Sequence, residues 1–298
     1  MHSAQMNSVS SVRQDGEPPP KGWRSAFTLI ELLVVIALIA ILTSILLPVL
    51  SKAKARGQGI ACLSNTRQLA LAWLLYADDH SDRLPYNLGG DATRSTVAMR
   101  TNLNWVNGIM DWSTSGDNTN TAMLTEAGLG TYANKAAKIY RCPSDNVLSL
   151  QQREAGWPGR VRSYSMNAMV GDAGELSTTG VNTNNPYYVQ FFKLTTIPRP
   201  ALIFVFLDEH PDSINDGYFI NKVYRDKKDN EWVDLPASYH NGAAAFSFAD
   251  GHSQIQRWAH ALTKQPAKPD AAALPLDVPE DEGSDFDWVV QHMSIGRH

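Results

Sequence analysis

The sequence predicts an α+β protein, a long N-terminal helix followed by a sheet-bearing head. Three observations predict it. An apolar run covers residues 27–47, its continuation to residue 79 keeps apolar positions on one face, and short β-type runs separated by turn dipeptides follow. The chain has 298 residues and a net charge of −4, so no broad basic surface points to nucleic acid as a partner. Its two cysteines, Cys62 and Cys142, are too few for a disulfide-rich scaffold or an all-cysteine metal cluster.

The first element is "FTLIELLVVIALIAILTSILL", residues 27–47, which holds one Glu and no Lys, Arg, Asp, Gly or Pro. At 1.5 Å per residue such a helix rises about 31 Å, enough for a bilayer core of about 30 Å. The run is too long for a secretory signal, and no A-x-A pattern follows it. Arg13, Lys21 and Arg24 before the run place the N-terminus inside, although Lys52, Lys54 and Arg56 follow it. Glu31 is the anomaly, because a carboxylate at membrane depth costs about 2.5–3.5 kcal/mol, less near an interface. Either it snorkels to the interface or it meets a cation. A cut before Phe27 would create such a cation as a new α-amino group, in the same subunit or in a neighbour.

Residues 48–79 continue the helix in amphipathic form, with Val49, Ala53, Ile60, Leu63, Ala70, Trp73, Leu74 and Ala77 roughly on one face. Gly57 and Gly59 weaken it locally and mark a bend, and Asp78, Asp79 and Pro85 end it. The head spans 80–262. Strands are expected within 102–112 ("NLNWVNGIMDW"), "KIYRCPSD", "VRSYSMNA", "ALIFVFLDE" and "DGYFINKVY", and a short helix at "AMLTEAGLG". Asn241-Gly242 and Asp250-Gly251 are two-residue hairpin signals, and together they predict a three-stranded antiparallel meander. Pro236 makes the first of these an edge or late-starting strand. Residues 263–298, with "PEDEGSDFDW", are expected to form an acidic, loosely ordered tail.

"FTLIELLVVIALIAIL" resembles the N-terminal signature of type IV prepilins and of the pseudopilins of type II secretion. The resemblance implies a pilin-like architecture, with the long helix packed against an antiparallel sheet. It implies a cytoplasmic leader, residues 1–26, removed by a prepilin peptidase between Ala26 and Phe27, and methylation of the Phe27 amine. Glu31 then corresponds to the family's acidic residue, which serves methylation and subunit docking, and Pro48 to the proline that commonly kinks the helix. The chain departs from the family before the cut, where Gly is usual and Ala26 stands here. The polar, Pro-rich leader stretch "GEPPPKGWRS" is expected to be disordered.

The implied partners are the peptidase, other pilin or pseudopilin subunits through the N-terminal helix, and the inner membrane, with the head in the periplasm. His240 followed by Asp250-Gly251 is similar to a C-terminal signature of prepilin-like proteins, as are "CLSNTRQLALAW", "YRCPSD" and "RSYSMN". The resulting expectation is a subunit of a type II secretion pseudopilus or a type IV pilus-like filament. The competing reading is a membrane-anchored binding module that captures, for example, polysaccharide and does not polymerise. Tryptophans from 102–112, or Trp157, would then stack on sugars, unless they are core residues.

Chemistry in the head is thinly signed. Asp208, Glu209, Asp212 and Asp216 crowd one loop and are the calcium candidates, although the stretch fails the EF-hand pattern. Ordinary solvated turn carboxylates are the alternative. His210, His240 and His252 with Asp208 and Asp250 match no zinc spacing. Cys62 and Cys142 would lie outside the inner membrane, where one disulfide could join them, or Cys62 is a small buried helix residue. The sequence holds no Gly-rich phosphate loop, G-x-S-x-G turn or H-E-x-x-H motif, so no enzyme is expected, and no cofactor beyond the calcium candidates.

Overall fold

The computed structural model describes residues 28–98, 103–224, 229–269, 271 and 274–297. The expectations for the leader and for the Ala26–Phe27 cut lie outside the described residues. Two compact units divide the chain, residues 1–49 and 50–298.

The first element, α1 (Leu29–Asp79), is helical over 51 residues and ends at the predicted aspartates. It runs on through Pro48, Gly57 and Gly59 in unbroken helical assignment. The large apolar side chains from Leu29 to Leu50 are all exposed. Beyond Gly59 the buried positions are Cys62, Thr66, Leu69, Ala70, Ala72, Trp73, Tyr76 and Ala77, a stripe with helical spacing. The stripe includes the expected Ala70, Trp73 and Ala77, but Ile60 is 64% exposed and Val49 also points to solvent. Gly59 lies against the His240 ring, where a Cβ would make ordinary van der Waals contact at 3.5 Å.

The remaining elements are α2 (Gly90–Ala98), α3 (Ala122–Thr125), α4 (Leu150–Glu154), β1 (Tyr164–Asn167), β2 (Phe204–Asp208), β3 (Tyr218–Phe219), β4 (Glu231–Trp232), β5 (Ala243–Phe248), β6 (Ser253–Arg257), β7 (Leu276–Asp277) and α5 (Ser284–Met293). Five strands form one sheet in the order β3-β1-β2-β5-β6. The pairs β1–β2, β2–β5 and β5–β6 are antiparallel, while β1–β3 is parallel. The fold is therefore α+β with a mixed sheet instead of a purely antiparallel one.

Both faces of the sheet are buried along β1, β2, β3 and β5, while the edge strand β6 is partly exposed. Tyr164, Met166, Phe206 and Ala245 join the α1 stripe in one core, and Phe204, Leu207, Phe219, Phe246 and Phe248 belong to a second. Burial on both faces explains why β2 reads as an apolar run without alternation.

Several expectations are corrected. Asp250-Gly251 closes the β5–β6 hairpin, with Gly251 at φ 87°, but the third strand beside it is β2, not residues 231–240. Those residues supply only β4, which pairs with β7 in a separate two-stranded sheet. Among the described residues, 103–112 form no strand: the amides of Trp105, Asn107 and Met110 donate to Tyr86, Met123 and Asn215, three separate segments. "KIYRCPSD" holds a 3₁₀ turn at Ala137–Tyr140 in place of a strand. The stretch expected to be a loose tail contains α5, whose Phe286, Val289, Val290 and Met293 pack into the second core. Their i, i+3, i+4, i+7 spacing was masked by the acidic residues around it.

Candidate functional site

The N-terminal segment begins its helix with a reciprocal cap. Thr28 N and Thr28 Oγ1 donate to Glu31 Oε2 at 2.8 and 2.7 Å, and Glu31 N donates to Thr28 Oγ1 at 3.3 Å. Thr-x-x-Glu ahead of an apolar run is the capping-box pattern, which sequence reasoning passed over while assigning Glu31 to other roles. The helix behind this cap is long and apolar enough to cross a membrane. A surface apolar on all sides needs lipid or neighbouring helices around it.

The head contains a second constellation. Cys62 from α1, Cys142 just after the 3₁₀ turn, Asp208 at the end of β2 and His240 before β5 converge in the interior. One ligand-type atom from each lies within 4.8 Å of all the others. Cys62 Sγ donates to Asp208 Oδ2 at 2.8 Å, and His240 Nε2 is 3.2 Å from the same oxygen. Cys142 Sγ lies 3.4 Å from His240 Nε2, and Tyr164 Oη donates to Cys62 Sγ at 3.1 Å. Both cysteines are free. The structure thus brings the two together as thiols.

Electrostatics follow from this burial. Burial raises the Cys62 thiol well above its ordinary value, and the neighbouring Cys142 and Asp208 add to the effect. For His240, burial works against the positive charge, but the hydrogen bonds and charges of Asp208 and Cys142 outweigh it and lift the imidazolium pKa to about 10. Asp208 Oδ1 and His240 Nδ1 have no hydrogen-bond partner among the described residues.

The other sequence candidates disperse. Among the described residues, Asp208, Glu209, Asp212 and Asp216 do not gather into one group. Asp212 Oδ2 accepts from Lys268 N at 2.7 Å, and Asp216 accepts from the amides of Gly90 and Tyr218. His210 Nε2 lies 3.0 Å from Gln265 O. His252 stacks on Phe248 and contacts Asp250 Oδ1 at 2.6 Å, beside the Asp250-Gly251 turn. His240 alone of the three histidines joins the cluster. Trp105 is fully buried, and Trp112 lies under the Arg160 guanidinium at 4.2 Å.

Glu209 is buried near Arg162, and burial raises its pKa to about 8 against the lowering effect of Ser165, Ser213 and Arg162. The folded chain therefore holds this proton more tightly than the unfolded chain. Stability contributed by the protonated group is full at low pH and is lost as pH rises from about 4.5 towards about 8. Thermal unfolding of the full chain in detergent should show a midpoint that falls across this window. Glu209→Gln should flatten the slope, and an unchanged slope in the variant would assign it to other groups.

Residues 24–47 match the family model of the prokaryotic N-terminal methylation motif. Searches of curated proteins and of solved structures find no match to the chain. The matched span ends well before the His240 and Asp250-Gly251 stretch, so that second resemblance has no support from the comparisons.

Proposed function

The chain carries the N-terminal methylation motif of type IV prepilin-like proteins, and from that premise we propose that it is a structural subunit of a pilus-like filament or of a type II secretion pseudopilus. In this reading a prepilin peptidase cuts between Ala26 and Phe27 and methylates the new Phe27 amine. The first half of α1 rests in the inner membrane with the N-terminus inside and the head in the periplasm, then passes into the filament core. The observation that carries the reading is the coincidence of the methylation motif with a helix whose apolar side chains, Leu29 to Leu50, are exposed all round. Such a surface is consistent with lipid before assembly and with sister helices after it. Glu31 stands in the first turn of the helix, where a neighbour's Phe27 amine would reward one axial register and leave a charge unpaired in others. Of the tryptophans the binding-module alternative would use, Trp105 is buried, while Trp112 and Trp157 are half-buried.

Processing is tested by co-expressing the chain with a prepilin peptidase and measuring its intact mass. The expected product starts at Phe27 and carries one methyl group. An intact leader beside active peptidase would sink the reading. Ala26→Gly restores the residue usual before the cut, so a larger cleaved fraction is expected at equal times. Equal fractions would show that the peptidase accepts either small residue.

A further inference from the structure

We infer that Cys62, Cys142, Asp208 and His240 form a closed four-ligand site for zinc, with two sulfurs, one carboxylate oxygen and His240 Nε2 as donors. The donor set carries the choice of metal. Thiolates and an imidazole suit a borderline-soft transition ion and are poor partners for calcium or magnesium, which take oxygen. Zinc bonds of about 2.0–2.3 Å in a tetrahedron keep neighbouring ligand atoms about 3.3–3.8 Å apart. The observed separations of 2.8, 3.2 and 3.4 Å lie just below or within that range, and all pairs are within 4.8 Å, so small side-chain movements suffice.

All four residues are buried, so the site is shielded from water and from competing surface ligands. Asp208 Oδ1 leaves the carboxylate with acceptor capacity that no donor among the described residues uses. Tyr164 Oη, already donating to Cys62 Sγ, would steady that sulfur from behind as groups beyond the ligands do in metal sites. Four protein ligands leave no open position for substrate, which makes the site structural. It would fasten α1 to β2 and to the segments that carry Cys142 and His240, stretches far apart in sequence. Binding would also occupy both thiols, in a compartment where adjacent free cysteines otherwise oxidise.

The test uses the full chain isolated in detergent without reductant. The expected preparation holds one zinc per chain, and its two cysteines resist alkylation until a chelator is added. Replacing zinc by Co2+ should produce sulfur-to-metal charge-transfer absorption that added Zn2+ removes. Tyr164→Phe should lower zinc affinity by ~10–100-fold, and Cys142→Ser or His240→Ala by more. A Cys62–Cys142 disulfide in the isolated chain would overturn the inference. So would alkylation that is indifferent to zinc, a comparison made on the unsubstituted chain and independent of whether the variants fold.

Discussion

Replacing Trp105 by alanine is expected to lower the stability of the head by about 3–5 kcal/mol, the range for removing a large aromatic from a packed core. Domains are held by only about 5–15 kcal/mol, so this is a large share of the total. The indole is fully buried, with its ring centroid 5.0 Å from that of Phe206. Its Nε1 donates to Asn87 Oδ1 and to Gly217 O, both at 3.1 Å. Alanine would leave a cavity and strand the buried Asn87 Oδ1, while Gly217 O keeps its bond from Met166 N at 2.8 Å. Gly217 belongs to the same fit, since a Cβ there would lie 2.6 Å from both Trp105 Nε1 and Val106 Cγ2. Denaturant unfolding of the full chain in detergent measures the effect. A variant that kept parental stability while losing affinity for a polysaccharide would return Trp105 to the sugar-stacking role and revive the binding-module reading.

The second large effect is expected at Glu31, and Glu31→Gln is the informative change. A glutamine at the third helical position can still complete the cap with Thr28. It cannot pair with an ammonium group. Under the proposed processing, Glu31→Gln should insert and fold as the parent does, while its incorporation into filaments falls by roughly a hundredfold or more. That roughly hundredfold scale is the low end of what removing one partner from an ion pair buried in the filament core does to an equilibrium constant. Thr28→Ala, which leaves the charge and removes the Oγ1 half of the cap, should cost only about 1 kcal/mol. Quantifying subunits in sheared filaments against membrane-bound chain separates the two roles. Full incorporation of Glu31→Gln alongside poor incorporation of Glu31→Ala would show that the cap matters and the charge does not.

These two residues also mark how far the chain could be read without coordinates. Glu31 was conspicuous because one acid interrupts a long apolar run, and the Thr-x-x-Glu pattern that explains its local geometry was present in four consecutive residues. Trp105 sat in a segment whose alternation suggested a strand. Its side chain is buried as core residues are, but the backbone partners of Trp105, Asn107 and Met110 come from three separate segments, so no ladder forms. The same limit applies to β5. Asp250-Gly251 announced the hairpin with β6, because a turn is specified by its own residues. The strand on the other side of β5 is β2, some forty positions earlier, and no local pattern names it.

Length, apolar run, cap and turns are properties of neighbouring residues, and steric and hydration preferences act on them within a turn or two of chain. From these alone follow the membrane-length helix, the methylation motif, the amphipathic continuation and the β5–β6 hairpin. The mixed order of the sheet, the packed C-terminal helix and the meeting of Cys62, Cys142, Asp208 and His240 arise otherwise. Each depends on segments tens of residues apart being pressed together when both faces of the sheet are buried. Cys62 and Cys142 were visible as a pair and His240 as a turn neighbour. Their convergence on one carboxylate is set by which helix face meets which strand, and that is decided by packing.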